Sequence, residues 1–325
     1  MPERFKVAVT DSEYESHEIE RRVLSKVNAK LDVFQCRTED EVIKCCSHAD
    51  GLLNTYVALT RRVIGSLNAK VITRYGIGVD NIDIRAATER GVLVTNVIYD
   101  ITDVADHTLS LILSLARKIP WIHNATRRGE WDWRKFQPIA RLKGKNVGII
   151  GFGRIGRKVA QRLKGFDVEL CAYDPYVSSA VFEEHEVERV ELGTLLEESD
   201  IITVHVALTD ETRHLIGEKE LRKMRTDALL INASRGGVID EKALHRSLKE
   251  GWIGGAGLDV LEDEPLAEDN PLISLSNVII TPHIAWYSAS SVAEIKEKAA
   301  EQVAAALSGK IPPFLINREV LDRSK

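Results

Sequence analysis

The chain has 325 residues, enough for about two domains, and 44% of them are hydrophobic, enough to fill two cores. Its 49 acidic residues outnumber 44 basic ones, and the basic residues are scattered, which argues against nucleic acid as a direct ligand. The amino-terminal segment has no signal-peptide pattern, no apolar run approaches the roughly 18 residues of a membrane span, and the four cysteines show no C-x-x-C spacing. These features predict a cytoplasmic location, away from membranes.

Strands and helices alternate through the first hundred residues. Apolar runs predict strands at 5–10, 31–36, 51–54, 70–73 and 92–97, with helices near 16–27, 38–46, 61–67 and 82–90. Thr38 followed by Glu41 has the pattern of a capping box that opens the second helix. This alternation predicts a parallel sheet with helices on both faces, so this part forms a domain of its own.

The segment 103–117 predicts a helix that is apolar on nearly every side in its second half. Such a helix must be covered all round, and we expect it between domains or subunits. A polar segment with Trp131 and Trp133 follows it.

A glycine-rich turn then follows the predicted buried strand 146–150. Gly151 permits a tight turn, Gly153 lets a pyrophosphate approach the backbone, and Gly156 lets the next helix pack close to its strand. The next apolar run ends at Asp174, where an acid can accept hydrogen bonds from an adenosine ribose and repel a 2'-phosphate. Strand, turn, helix and acid together predict binding of NAD rather than NADP.

The alternation resumes beyond this unit. The predicted strands are 201–206, 228–232, 255–259 and 278–281, and the predicted helices lie near 192–197, 218–224 and 241–250. Ser291 and Glu294 have the spacing of a capping box that opens a long helix to about residue 307. Both ends of the chain can therefore belong to the first domain, with the nucleotide-binding domain inserted between them.

Three side chains follow the predicted strand ends, where sheets of this type bind ligands. Arg235, Glu264 and His283 supply a fixed cation for a carboxylate, a carboxylate to hold an imidazole, and a proton donor for a carbonyl oxygen. Taken singly, they also fit a surface ion pair, a solvated loop and a structural histidine. The other histidines, including His107 and His205, are expected to be structural or exposed. No metal-binding spacing is present, so no metal site is predicted.

Several motifs together resemble the D-isomer-specific 2-hydroxyacid dehydrogenase family. They lie at 76–83, 149–156, 232–240, 257–260 and 281–285. The resemblance implies an α/β fold of two doubly wound parallel-sheet domains. A Rossmann NAD-binding domain, residues 101–288, is inserted into a flavodoxin-like substrate domain made of residues 1–100 and 289–325. It also implies a homodimer formed through the NAD-binding domains.

The same resemblance assigns roles to individual residues. Arg235 binds and orients the keto acid, His283 is the general acid in reduction and the base in oxidation, and Glu264 tunes His283. The backbone of Ile77 and Gly78 binds the substrate carboxylate. Cofactor contacts are assigned to Gly151, Gly153, Arg154, Ile155, Gly156, Asp174, Ala233, Asp259 and His283, with Asp259 on the nicotinamide amide and Asp174 on the ribose.

Two features depart from the commonest family pattern. Ala207 stands where the family usually has proline, which leaves the loop under the cofactor less defined. Trp286, just after the predicted acid/base histidine, makes the segment similar to the C-terminal-binding-protein branch, which includes transcriptional corepressors. Trp286 is therefore expected either to shape the substrate pocket or to pack in the core.

The resemblance predicts an NAD-dependent oxidoreductase that reduces a small 2-keto acid, such as glyoxylate or hydroxypyruvate, or oxidises a D-2-hydroxy acid. One alternative is D-3-phosphoglycerate dehydrogenase activity, which requires a further cation for the phosphate, and Arg74 is available. Another is an NAD-sensing scaffold of corepressor type, for which a peptide partner without turnover would be the sign.

Overall fold

The computed structural model describes residues 5–324, in two compact units. One unit contains the chain up to Asp100 and from Ser288 onward, and the other is Ile101–Tyr287. Elements up to residue 100 are β1 Phe5–Val9, α1 Glu18–Ser25, β2 Ala29–Val33, α2 Glu39–Cys46, β3 Gly51–Asn54, α3 Arg61–Ser66, β4 Val71–Arg74, α4 Ile84–Glu89 and β5 Leu93–Thr95.

The second unit supplies seven helices and seven strands among the described residues. They are α5 Thr102–Ala116, α6 Ile119–Arg127, β6 Asn146–Ile150, α7 Arg154–Leu163, β7 Glu169–Tyr173, α8 Ser179–Glu184, β8 Glu188–Arg189, α9 Leu192–Glu198, β9 Ile201–Val204, α10 Glu218–Leu221, β10 Leu229–Asn232, α11 Glu241–Glu250, β11 Gly255–Leu258 and β12 Val278–Ile280. The chain then returns to the first unit with α12 Ala289–Leu307.

The first unit is built on a five-stranded parallel sheet in the order β2-β1-β3-β4-β5. This is the flavodoxin-like order, as predicted. On one face of the sheet, Leu52 of β3 and Ile72 of β4 are fully buried in a cluster with Ile64 of α3. On the other face α12 packs against α1, β3 and β4. The central strand β3 is buried along its whole length because helices cover both of its faces.

The second unit contains a seven-stranded parallel sheet in the order β12-β11-β10-β9-β6-β7-β8. The strand order reverses between β6 and β9, which are hydrogen-bonded neighbours. In sheets of this kind the reversal opens a crevice beyond the carboxyl ends of the strands, where ligands bind. Helices α5 and α7 cover one face, and α9, α10 and α11 cover the other. The fold is therefore the predicted pair of doubly wound sheets.

One predicted helix start is wrong. Ser291 was expected to cap α12, but the N-cap is Ser288, whose side chain accepts a hydrogen bond from the Ser291 N–H at 3.0 Å. Ser291 lies inside the first turn and its hydroxyl accepts from the Ser288 N–H at 2.7 Å. Glu294 instead accepts from the Asp100 N–H. The Ser-x-x-Ser pair therefore closes the cap, and Glu294 serves a different contact.

Several elements were not predicted, and some strand ends were misplaced. α6, α8 and β8 were not predicted because they are short, with 9, 6 and 2 residues, and α6 buries only Ala125. β2 begins at Ala29 rather than Leu31 because it is an edge strand with one neighbour and needs no continuous apolar run. The Thr38 capping box of α2 is confirmed.

Across residues 5–324, no helix is long and apolar enough to span a membrane. In the same part of the chain, no group of three or more His, Cys, Asp or Glu side chains is arranged to hold a metal ion.

Candidate active site

The turn between β6 and α7 requires glycine at two positions. Gly151 has φ +91°, and a Cβ there would lie 2.7 Å from the carbonyl oxygen of His205. A Cβ on Gly156 would lie against the Gly151 carbonyl oxygen, closer than the 3.0 Å that real Cβ atoms keep. The first glycine therefore allows the turn, and the other allows α7 to approach β6.

Gly153 differs from the other two glycines because a Cβ there would meet no atom within 4 Å. It is the N-cap of α7, and no side chain caps the helix. The first N–H groups of an uncapped helix are suited to a phosphate, with the positive end of the helix dipole behind them. Arg154 and Ile155 occupy this first turn, exposed and half-buried respectively. The turn therefore fits a dinucleotide pyrophosphate.

Asp174 lies just after β7 and is tied to the same turn. Its Oδ2 accepts a hydrogen bond from the Phe152 N–H at 2.8 Å, and its Oδ1 accepts from the Tyr176 N–H at 2.9 Å. The Tyr176 hydroxyl in turn donates to the carboxylate of Glu211. A half-buried, fixed carboxylate at this strand end is suited to a ribose diol.

The segment after β10 carries Arg235 and is held by Asn232. The Asn232 side chain donates to the Arg235 carbonyl oxygen at 2.9 Å and accepts from the Ser234 hydroxyl at 2.7 Å. A Cβ on Gly236 would collide with the Leu261 carbonyl group. The backbone beside Arg235 therefore packs directly on the segment that leads to Glu264.

Glu264 and His283 form a close pair. The distance from His283 Nδ1 to Glu264 Oε2 is 2.6 Å, and the Leu261 N–H donates to Oε1 at 3.0 Å. Burial acts to raise the pKa of the Glu264 carboxyl, but these hydrogen bonds and the charge of His283 hold that pKa below its ordinary value. The positive charge of Arg235 also helps to lower this pKa. The structure thus brings the three predicted side chains together.

The backbone of His283 is strained and firmly held. Its φ is +51°, a left-handed conformation that costs a non-glycine residue about 1–2 kcal/mol. The His283 N–H donates to the Asp259 carbonyl oxygen at 2.8 Å. The Asp259 carboxylate accepts from the Ile284 and Ala285 N–H groups, both at 2.9 Å. Strain of this kind persists only where the surroundings impose it.

Asp259, assigned by resemblance to the nicotinamide amide, is 1% exposed. Besides the two backbone groups, its Oδ1 accepts from the Thr281 hydroxyl at 2.6 Å and lies 3.4 Å from His107 Nε2. Its Oδ2 accepts only from Ala285 among the described residues, so one acceptor position suits an amide N–H. The predicted contact is therefore compatible with the structure.

A small apolar cluster lies at the carboxyl ends of the strands. Buried Ala233 packs there with Val104 and Ala285, and the partly buried Ile155 and Trp286 lie against them. The Trp286 ring meets that of Tyr287 edge-on, with centroids 5.7 Å apart. Trp286 is half-buried, so its role in the pocket and its role in packing are both supported.

Ile77 and Gly78 belong to the other unit, in the loop after β4. The Ile77 carbonyl accepts from the Asn96 side chain at 2.7 Å. The N–H groups of Ile77 and Gly78 have no hydrogen-bond partner among residues 5–324. Successive unpaired backbone N–H groups are suited to an anion, so a carboxylate fits this loop.

Two histidines outside the predicted site touch it. His107, which was expected to be structural or exposed, has its Nε2 atom 3.0 Å from the Thr281 hydroxyl. No sequence signal pointed to this contact, because 174 positions separate the two residues. His205 lies beneath Gly151, and burial lowers its pKa to about 3, so it is neutral. The nearby Ala207 carbonyl accepts from the Thr212 hydroxyl at 2.6 Å, which holds the loop without proline.

Comparison with known proteins gives a consistent family. The pattern for "D-isomer specific 2-hydroxyacid dehydrogenase, NAD binding domain" matches residues 109–285. The chain is 43% identical over 256 residues to the glyoxylate reductase of Korarchaeum cryptofilum, covering 78% of this chain and 77% of that protein. It is 40% identical over 328 residues to the D-3-phosphoglycerate dehydrogenase of Methanocaldococcus jannaschii, covering 98% of this chain and 61% of that protein.

A solved structure agrees with these relatives. The D-lactate dehydrogenase of Aquifex aeolicus, in complex with NAD and lactic acid, matches with a TM-score of 0.86 at 30% identity, over 96% of this chain and 99% of that one. The dinucleotide turn, the strand-end acid and the family pattern coincide in the second unit. The chain belongs to the D-isomer-specific 2-hydroxyacid dehydrogenase family, whose members are NAD-dependent oxidoreductases acting on the CH–OH group of 2-hydroxy acids.

Proposed function

We propose that this chain reduces small 2-keto acids with NADH, glyoxylate and hydroxypyruvate among them, and catalyses the reverse oxidation of D-2-hydroxy acids. The observation that carries this proposal is the 2.6 Å contact between His283 Nδ1 and Glu264 Oε2, and the charge of Arg235 acts on the same carboxylate. A small substrate is favoured by the 43% identity to a protein named glyoxylate reductase.

The side chains divide the work by their chemistry. Glu264 accepts a hydrogen bond from the Nδ1–H group of His283, which fixes the orientation of the ring. The Nε2 atom has no partner among the described residues, so it is the nitrogen that can exchange a proton with the substrate. In reduction, the protonated His283 gives the Nε2 proton to the keto oxygen, and in oxidation it takes a proton from the hydroxyl. Arg235 supplies a fixed positive charge for the carboxylate. When bound, NADH supplies the hydride that the keto carbon receives.

The remaining site assignments are part of the proposal. Ile77 and Gly78 donate backbone N–H groups to a substrate carboxylate, supported by their lack of partners in the described chain. Trp286 contributes to the shape of the substrate pocket. The glycine turn with Arg154 and Ile155 holds the pyrophosphate, and the contacts of Ala233 and Asp259 are to the nicotinamide half.

Replacement of His283 tests the mechanism. We expect His283→Ala to lower kcat by about 10² to 10⁴, the usual contribution of a positioned acid/base, while NADH binding followed by nicotinamide fluorescence persists. His283→Asn is the matched variant, because Asn tolerates the left-handed backbone. His123→Ala, on the exposed surface of α6, is the control and should retain wild-type turnover. Full turnover by His283→Ala across a keto-acid panel would remove the mechanism.

Oxidation of D-3-phosphoglycerate is the second candidate. It is supported by the 40% identity to a protein named D-3-phosphoglycerate dehydrogenase. It is also supported by the position of Arg74 at the end of β4, where its Nε–H group donates to the Thr55 carbonyl oxygen. If phosphate is recognised there, 3-phosphoglycerate will be oxidised more efficiently than D-glycerate, and Arg74→Leu will abolish the difference. Equal efficiency for the two substrates in the wild-type protein decides against this candidate.

We also propose a preference for NADH over NADPH. The fixed carboxylate of Asp174 supports it, because its charge repels a 2'-phosphate. Asp174→Ala should bring the dissociation constants for NADH and NADPH closer together, as measured by fluorescence titration. Equal affinity of the wild-type protein for both cofactors would contradict this role of Asp174.

Finally, we propose a homodimer formed through the NAD-binding domains and a cytoplasmic place of action. The half-buried Leu109 and Leu113 on α5, together with Trp131, which is 90% exposed, support an apolar contact surface. All four cysteines are free thiols, which suits a reducing compartment. Sedimentation equilibrium measures the assembly directly, and a monomer at micromolar concentration would refute the dimer.

A further inference from the structure

A chain of contacts links α5 to the segment Thr281–Ala285. His107 Nε2 lies 3.0 Å from the Thr281 hydroxyl oxygen, and that hydroxyl lies 2.6 Å from Asp259 Oδ1. His107 is 23% exposed in its side chain and Asp259 is 1% exposed. His107 lies in α5, Thr281 just after β12 and Asp259 just after β11, so only the fold brings them together.

The protons in this chain of contacts can be assigned. A buried ionised carboxylate can only accept hydrogen bonds, so the Thr281 hydroxyl hydrogen must point to Asp259. A hydroxyl has one hydrogen, so the Thr281 oxygen must accept from His107. His107 therefore carries a hydrogen on Nε2 and donates it to Thr281 at 3.0 Å, the shorter of two contacts, since Asp259 Oδ1 lies 3.4 Å from the same nitrogen.

Asp259 in turn controls the segment with His283. Its carbonyl oxygen accepts from the His283 N–H at 2.8 Å, and its carboxylate accepts from the next two N–H groups at 2.9 Å each. The left-handed φ of +51° at His283 means that the segment would relax if these contacts were lost. The carboxylate therefore helps to hold the segment that carries the imidazole, while Glu264 contacts the ring itself.

We propose that His107 is a positioning residue for hydride transfer, acting through Thr281 and Asp259 to hold His283 in its left-handed conformation. This inference rests on the proposed function, in which His283 exchanges the substrate proton. His107 does not touch the reacting atoms in this role. Its effect is confined to the accuracy with which His283 is presented.

Paired substitutions test the proposal. His107→Leu removes the donor, and His107→Gln retains an amide N–H at a similar reach. Thr281→Val removes the bridging hydroxyl at nearly constant volume, and Thr281→Ser retains it. We expect His107→Leu and Thr281→Val each to lower kcat about tenfold, a loss typical of a buried hydrogen bond. The Gln and Ser variants should recover most of it, and the KM for the keto acid should change less than kcat.

The double variant separates a linked chain of contacts from two unrelated effects. If His107 acts through Thr281, the combined His107→Leu and Thr281→Val protein should be no slower than the slower single variant. Multiplied losses, about a hundredfold together, would show two independent effects and overturn the proposal.

An observation independent of turnover completes the test. Histidine-selective ¹⁵N spectra of the whole protein should show His107 as the Nε2–H tautomer. The ring resonances of His283 should shift in both His107→Leu and Thr281→Val, but not in His123→Leu, a control on exposed α6. If His107→Leu fails to fold, Thr281→Val carries the test alone.

The results distinguish the two proposals. An active His283→Ala protein would refute the proposed function itself. An inactive His283→Ala, together with wild-type kcat and unshifted His283 resonances in both Thr281→Val and His107→Leu, would leave the function standing and overturn the positioning role.

Discussion

In the dinucleotide turn, adding one methyl group at either of two glycines should affect stability in one case and cofactor binding in the other. A Cβ on Gly156 would press on the backbone oxygen of Gly151, which cannot swing aside, whereas a Cβ on Gly153 would meet nothing within 4 Å. We therefore predict that Gly156→Ala mainly destabilises the fold and that Gly153→Ala mainly weakens NADH binding.

The size of the first effect follows from two opposing terms. Overpacking costs about 1–3 kcal/mol, and the higher helix propensity of Ala within α7 returns about 0.5–1 kcal/mol. A net loss of about 1–2 kcal/mol lowers the Tm of a domain of this size by about 2–8 °C. At Gly153, an N-cap position, Ala costs under about 1 kcal/mol, but its methyl group occupies the space a pyrophosphate needs.

Thermal unfolding followed by circular dichroism and NADH titration followed by fluorescence measure the two effects. Gly153→Ala should raise the Kd for NADH at least about tenfold with a nearly unchanged Tm. Gly165→Ala, where a Cβ also meets nothing within 4 Å, is the control and should change neither quantity. If Gly153→Ala binds NADH like the wild-type protein, or if Gly156→Ala melts at the wild-type temperature, the structural reading of this turn is wrong.

Two further predictions concern acid stability. Burial lowers the pKa of His205 to about 3 in the folded protein, whereas the pKa is about 6.5 in the unfolded chain, so the unfolded state binds more protons between these pH values. The free energy of unfolding should therefore fall by up to about 1.4 kcal/mol per pH unit as the pH drops through that window. In urea titrations, His205→Asn should make this pH dependence weaker, and an identical slope in both proteins would contradict the prediction. Glu264 has a lowered folded pKa, so its contribution is present above the unfolded pKa of about 4.3 and is lost as pH falls through the folded pKa. Glu264→Gln should therefore cost stability at pH 7, below about 1 kcal/mol for a partly exposed group, and this cost should shrink as pH falls below the unfolded pKa. A cost that does not change with pH would exclude the ionic role.

Local patterns in the sequence were sufficient for the sheets and the dinucleotide turn. The strand 146–150 and the helix 241–250 were predicted with the observed bounds, because one is a buried apolar run and the other is opened by Asp240. Gly151, Gly153 and Gly156 were assigned separate roles, and the space around each glycine agrees with them. These features depend on neighbours in the chain, which a sequence displays directly.

The contacts that hold the candidate site could not be predicted in the same way. His107 meets Thr281, and the link depends on the packing of α5 against β10, β11 and β12. The capping of α12 by Ser288 was missed for a different reason, since Ser291-x-x-Glu294 is an equally good local pattern. Only the tertiary contact of Glu294 with Asp100 separates the two.

The left-handed backbone at residue 283 limits what evolution or engineering can place there. Another proton donor such as tyrosine, or any β-branched residue, must first adopt the left-handed φ of +51° found at this position before its side chain can take part in the reaction. A saturation library at this position will therefore be selected first by fold and only then by turnover, with asparagine, aspartate and glycine over-represented among inactive but well-folded clones. Histidine is the one residue type among the tolerant set whose ordinary pKa lies near neutral pH, so the backbone conformation and the proposed acid/base role converge on the same choice.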